Sequence, residues 1–186
     1  MTHPAITEPL SAREFLDWEA KQPEKHEFLQ GQILAMVGVT RQHATVTGNL
    51  FAWLMQRLRG TDCRVYMADM MLKLEAAEAF FYPDLFVTCA EADHRADRFM
   101  TQPRLIVEVL SESTEAYDRG EKFALYRQFH TLSEYLLIDP VRLRAEIFRR
   151  NATGHWVLHE YSGDNPVLLT SLELAIEPAL LYENLP

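Results

Sequence analysis

Cysteine is nearly absent. The 186 residues hold two, Cys63 and Cys89, without Cys-x-x-Cys spacing or a histidine-rich neighbourhood. Structural zinc and a disulfide framework are therefore not expected; two reduced thiols in a cytoplasmic protein are. Long hydrophobic runs are also missing: no apolar stretch approaches the ~20 residues a membrane span needs. Residues 1–8 lack the basic start and apolar core of a secretory leader, so no signal peptide is expected. Positive charge is scarce, with 18 Lys and Arg against 27 Asp and Glu and a formal net charge of −9. That excludes a general nucleic-acid coat protein, whose affinity comes from neutralising phosphates. It leaves room for an enzyme with a local basic rim. The arginines are indeed clumped, Arg57, Arg59 and Arg64 in one stretch and Arg142, Arg144, Arg149 and Arg150 in another. Each clump alone reads as a solvated face. No repeat, linker or low-complexity segment interrupts the chain, and its length suits one domain over residues 1–186.

What is present is an alternation of short periodic segments. Ser11-Ala12-Arg13-Glu14 has the capping-box pattern and predicts a helix to about residue 21. A hairpin follows over 26–29 and 32–36, turning at Gln30-Gly31. Val46, Leu50, Trp53, Leu54 and Leu58 recur at helical spacing and predict a helix over 40–59, stopped by Gly60. Strands are expected at 63–67, 70–75, 81–88, 104–110 and 134–139. Segment 90–102 is polar and reads as an irregular connection with one helical turn. A second amphipathic helix is expected over 117–129. Segments 142–150 and 155–161 form a hairpin, and 166–186 a short strand and one helical turn. The pattern predicts an α/β (α+β) fold: a central mixed sheet flanked by helices, with an N-terminal helix and hairpin and C-terminal hairpins.

Two acidic residues interrupt the most apolar strands. Asp84 lies in Phe80-Phe81-Tyr82-Pro83-Asp84-Leu85-Phe86-Val87, and Glu108 in Leu105-Ile106-Val107-Glu108-Val109-Leu110. A carboxylate removed from water without a partner costs several kcal/mol, which is a large part of a small domain's stability. Something cationic should meet them. Lys122 lies among Leu125, Tyr126 and Phe129 on the apolar side of the next helix. Two strand-borne carboxylates and an inward lysine point to a hard-cation site, with Mg²⁺ or Mn²⁺ held by Asp84, Glu108 and the Val109 backbone carbonyl. The plainer alternatives are a strand-entry aspartate after Pro83, a structural ion pair at Glu108 and a snorkelling Lys122. Three such residues in order, on strand, strand and following helix, favour a site.

The wider string is similar to a known family. His26-Glu27-Phe28-Leu29-Gln30-Gly31, Tyr82-Pro83-Asp84, Val107-Glu108-Val109-Leu110-Ser111-Glu112-Ser113-Thr114, Asp118-Arg119-Gly120-Glu121-Lys122 and Glu134-Tyr135-Leu136-Leu137-Ile138-Asp139-Pro140 resemble the Uma family of restriction-endonuclease-like proteins. That family lies in the PD-(D/E)XK nuclease superfamily. The resemblance implies a restriction-endonuclease-like fold and a Mg²⁺-dependent endonuclease acting on nucleic acid, DNA foremost, with Asp84, Glu108 and Lys122 catalytic. The superfamily pattern expects lysine where Leu110 stands, so Lys122 on the following helix is its implied substitute. The resemblance adds Glu27, as a water-mediated ion contact or a solvent-facing strand glutamate. It adds His43, as a phosphate contact or a helix-start histidine, and Asp118, as the partner that positions Lys122. His94, His130 and His155 have no ligand spacing. Two other readings stay open: an inactive nuclease-fold binding or scaffold protein, and a hydrolase of a smaller phosphoester. Nucleases of this fold often pair, so a homodimer is expected, with Trp18 or Trp156 as contacts or as core.

Overall fold

Ser11 sets the first element. In the computed structural model, which describes residues 9–36 and 38–185, its hydroxyl accepts from the Glu14 amide, and the Glu14 carboxylate accepts from the Ser11 amide. This reciprocal cap opens α1 (Ala12–Glu19). Phe15 on α1 is fully buried and stacks on Phe28 at 4.8 Å, which ties the helix to β1 (His26–Leu29). The chain then reverses into β2 (Gln32–Ala35) through Gln30 and Gly31, both at positive φ. A Cβ on Gly31 would lie 2.6 Å from Pro9 Cβ, so a larger residue does not fit.

Helix α2 (Arg41–Arg57) starts at Thr40, whose hydroxyl accepts from the His43 amide. Beyond it the strands sort into two main sheets. The first, of five strands, runs β2-β1-β5-β4-β7, with β4 (Met71–Leu74), β5 (Ala79–Phe81) and β7 (Phe99–Met100). The second, of six, runs β11-β10-β9-β8-β6-β3. Its members are β3 (Arg64–Met67), β6 (Leu85–Thr88), β8 (Pro103–Val109), β9 (Glu134–Asp139), β10 (Arg144–Arg150) and β11 (Trp156–Ser162). Strands β12 (Val167–Leu169) and β13 (Leu174–Ile176) form a separate pair.

In the six-stranded sheet only β8 and β9 are parallel. A parallel pair needs a crossover, and the helical segment between these strands supplies it. That segment is α4 (Glu115–Tyr117), a π-helical turn (Asp118–Lys122) and α5 (Phe123–Tyr126). The period-two alternation of β8 divides its side chains between two cores. Leu105, Val107 and Val109 pack with Val46, Leu50 and Leu54 of α2. Ile106 and Leu110 pack with Phe123 and Tyr126 of α5. The two helical segments thus cover opposite faces of the sheet.

Several expectations need correction. The predicted strand 81–88 breaks at Pro83. Its first part belongs to the five-stranded sheet and its second to the six-stranded one, because proline has no N–H to continue a ladder. Segment 90–102 holds α3 (Glu91–His94), as expected, but also β7, which pairs in parallel with β4. The second helix starts at Glu115 and contains a wide turn. The C-terminal segment holds two strands before α6 (Pro178–Leu181). Both tryptophans are half-buried: Trp18 meets His26 edge-on at 4.7 Å, and Trp156 meets Phe123 edge-on at 5.5 Å. No helix among the described residues is long and apolar enough to cross a membrane.

The largest correction concerns cysteine. Cys63 and Cys89 form a disulfide, not two reduced thiols. Antiparallel pairing sets Arg64 opposite Thr88, so the next step outward puts the two cysteines face to face. They are 26 residues apart, and only this register brings them together. The thiol argument for a reducing compartment falls with it. We predict that reduction, or Cys63→Ser, destabilises the protein by about 2–4 kcal/mol, the usual range for a native cross-link. Urea unfolding with and without reductant measures it.

Candidate active site

The break at Pro83 prepares the site. One step beyond the β6–β8 ladder, the register that pairs Leu85 with Val107 would set Asp84 beside Glu108 and Pro83 beside Val109. Pro83 has no N–H to offer the Val109 carbonyl. The Val109 amide donates to the Asp84 carboxylate at 2.7 Å. A strand residue's N–H and C=O leave the backbone on the same side, so the Val109 carbonyl faces this gap too. The Asp84 amide in turn donates to Glu108 Oε2 at 3.1 Å. The two carboxyl groups are thereby latched to each other's strand.

Lys122 arrives from the π-helical turn. Its Nζ lies 3.0 Å from Glu108 Oε1, 3.0 Å from Glu27 Oε1 and 3.8 Å from Asp118 Oδ1. Tyr126, one turn further, donates its hydroxyl to the same Glu108 Oε1 at 2.8 Å. Glu27 on β1 also accepts from the Tyr82 amide at 3.1 Å, where the chain leaves β5 for β6. His43 comes from the first turn of α2, with Nε2 3.0 Å from Asp84 Oδ2. Both bonds to Asp84 fall on Oδ2, and Oδ1 has no partner among the described residues. Glu27, His43, Asp84, Glu108, Asp118 and Lys122 line one cavity of about 330 Å³, with Leu34, Met36, Val39, Tyr82 and Tyr117 as apolar wall.

Charge is unbalanced here, since one ammonium meets three carboxylates, Glu27, Glu108 and Asp118, and Asp84 lies close by beside His43. Burial pushes the Glu108 carboxyl well above its ordinary pKa; Lys122 opposes this, and Asp84, Asp118 and Glu27 add to it. Asp118 shifts upward as well, chiefly through burial. Burial works against the Lys122 ammonium, but Glu108, Glu27 and Asp118 outweigh it and hold its pKa well above the ordinary lysine value. Burial and Glu108 keep the Tyr126 phenol protonated.

No group of three or more His, Cys, Asp or Glu side chains among the described residues is gathered as a metal cluster. Lys122 stands between Glu27 and Glu108 instead. The oxygen donors at the strand ends are the Asp84 and Glu108 carboxylates and the Val109 carbonyl. A hard cation such as Mg²⁺ uses few carboxylates and completes its shell with water and substrate oxygens, so this donor set fits one.

The sequence placed Asp84, Glu108, Lys122, Glu27, His43 and Asp118 among the candidates, and the structure brings all six together. It missed Tyr126, which reads as part of the apolar stripe. The i, i+4 series Asp118, Lys122, Tyr126 was the available signal.

Removing Lys122 leaves buried carboxylates unpaired. Lys122→Met is expected to cost about 3–5 kcal/mol at neutral pH. A carboxyl whose folded pKa is raised favours folding below its unfolded value, about 4.3, and loses that contribution as pH rises through the folded value. The deficit of the variant therefore shrinks on acidification. Urea unfolding of both proteins at about pH 7 and about pH 5 checks the sign.

A family model named Uma2 and described as "Putative restriction endonuclease" matches residues 12–180. "Uncharacterized protein slr1290" of Synechocystis sp. is 36% identical over 176 residues, covering 95% of this chain and 93% of that protein. "Uncharacterized protein sll1609" of the same organism is 36% identical over 163 residues, covering 87% and 92%. The crystal structure of "a putative nuclease belonging to DUF820" from Anabaena variabilis matches with a TM-score of 0.76 at 17% identity, over 94% of this chain and 98% of that one. At that identity the likeness speaks for the fold, which is restriction-endonuclease-like as the sequence predicts. With its family model spanning α1 to α6, this chain belongs to the Uma2 family.

Proposed function

We propose that the chain is a metal-dependent endonuclease that hydrolyses phosphodiester bonds of nucleic acid, DNA foremost, at the Asp84–Glu108–Lys122 cluster. The observation that carries this is the contact of the buried Lys122 ammonium with Glu108, whose carboxylate accepts from the Asp84 amide on the neighbouring strand, with all three side chains lining one cavity. Asp84, Glu108 and the Val109 carbonyl would hold Mg²⁺ or Mn²⁺, and the ion would supply a polarised phosphoryl oxygen and a more nucleophilic water.

The chain's own groups divide the remaining work. With its pKa held up, Lys122 donates hydrogen bonds and does not accept a proton. It orients the oxygen nucleophile and offsets negative charge on the phosphate. Tyr126 and the Asp84 amide fix the Glu108 carboxyl. His43 and the Val109 amide fix Asp84, with Oδ1 turned free. Glu27 and Asp118 act through Lys122 as positioning residues, and Glu27 Oε2 is available for a water-mediated contact. In this reading the chain acts in the cytoplasm, where its DNA substrate is.

The test is cleavage of single- and double-stranded DNA and of RNA with Mg²⁺ or Mn²⁺. Cleavage is expected to stop on chelation. Asp84→Ala should slow it at least about a hundredfold, the equivalent of about 3 kcal/mol of transition-state stabilisation. If the wild-type protein cuts none of these substrates with either ion, the reading fails, and the fold serves as a binding scaffold instead.

A homodimer belongs to the same reading, because two acidic subunits can build one basic cleft from partial ones. Strand β11 ends the six-stranded sheet with Val157 and Leu158 exposed, a self-complementary edge. Sedimentation equilibrium is expected to give twice the 21.5 kDa chain mass. Monomer alone at high concentration removes the dimer.

A further inference from the structure

A second cavity, of about 460 Å³, lies at the other end of β8 from Glu108. Arg104 on its wall is four residues before Glu108, about 13 Å along the strand. Arg149 and Arg150 also line it, and Glu134 is the one acidic residue on that wall among the described residues. Glu134 is already engaged. It accepts from Arg149 Nε at 2.9 Å, from the Thr170 hydroxyl at 2.9 Å, and from the Thr170 and Ser171 amides at 3.0 and 2.9 Å.

Arg104 and Arg150 differ from most other arginines near this sheet. Arg119, Arg142 and Arg144 all sit against carboxylates. Arg104 and Arg150 have no carboxylate within ion-pair distance among the described residues. Each is instead aimed by one carbonyl, Arg104 Nε by Ser171 O at 2.8 Å and Arg150 Nη1 by His130 O at 3.2 Å. Their remaining N–H groups are uncommitted. Asn151 presents the same polarity: its Oδ1 accepts from Thr153 and His155, which leaves the amide NH₂ as the free end. The Ser171 hydroxyl is buried without a hydrogen-bond partner among the described residues. Leaving such a group unpaired costs about 1–3 kcal/mol. The free polar groups are thus nearly all donors, and two are permanent cations in a chain of net charge −9.

We propose that this cavity binds a phosphate group through Arg104, Arg150, Asn151 and Ser171. Guanidinium forks match phosphate oxygens in geometry and charge. The ligand is a free phosphate or monoester, or one phosphate of a polynucleotide backbone. The site does not depend on cleavage at the carboxylate cluster.

The test is titration of isotope-labelled full-length protein with inorganic phosphate, following the Asn151 and Ser171 amides by NMR. Saturable shifts at millimolar phosphate are expected. Arg150→Gln, which loses one tie to a carbonyl and should melt like the wild type, is expected to weaken binding at least about tenfold, since charge-assisted hydrogen bonds exceed neutral ones. Arg104→Gln is expected to do the same, and Asp84→Ala to leave the titration unchanged. A short single-stranded oligonucleotide forms the second arm. Binding that weakens in Arg150→Gln and falls with salt assigns a backbone phosphate; oligonucleotide binding indifferent to Arg150 assigns the free anion or monoester. No saturation by phosphate, or equal affinity in wild type and both arginine variants, overturns the proposal.

Discussion

One ammonium holds the functional end of this molecule together. Lys122 reaches Glu108 on β8, Glu27 on β1 and Asp118 on its own helical turn. It therefore joins the six-stranded sheet, the five-stranded sheet and the crossover helix at one atom. Three carboxylates around one cation, with Asp84 close by, leave an excess of negative charge that burial makes costly, as the raised Glu108 and Asp118 pKa values register. A structure built only for stability would replace such a cluster with apolar packing at little loss. Its presence on the wall of a cavity points to a site rather than to a device for stability, because only a cation would offset the excess of carboxylate charge.

The second constraint is Pro83. By ending one strand and starting another, it moves the chain from one sheet to the other and denies the Val109 carbonyl a ladder donor. The Asp84 side chain accepts the Val109 amide beside it. The same residue that interrupts regular structure thus exposes a carbonyl and aims a carboxylate into the gap. The π-helical turn works in parallel. It includes both Asp118 and Lys122, buried side chains that the helix directs into the space above β8. Wide turns of this kind occur often at functional sites.

Away from this cluster the charges mostly neutralise one another. The arginine clump at 142–150, which reads in sequence as a single solvated face, separates into two groups. Arg142 and Arg144 settle on Asp139 and Glu146, whereas Arg149 and Arg150 turn to the far end of the sheet. Position along β10 makes this separation, with Arg142 and Arg144 before and at its start and Arg149 and Arg150 at its end. A net charge of −9 accordingly hides a local surplus of donors.

Local chemistry was enough to read much of the chain. The Ser11–Glu14 cap, the Gln30-Gly31 turn and the spacing of Val46, Leu50 and Leu54 act over a few residues, so α1, the first hairpin and α2 appear where the sequence predicts them. Asp84, Glu108 and Lys122 stood out because charge inside an apolar run is costly wherever it occurs. Three other features depended on tertiary structure. The Cys63–Cys89 disulfide needed the β3–β6 register, the break at Pro83 needed two sheets to choose between, and the role of Tyr126 needed Glu108 across the core. Propensity and periodicity are local quantities, and the sequence carries them. Which strand pairs with which, and which carboxylate meets which ammonium, depends on contacts between residues far apart in the chain, and only the packed fold decides them.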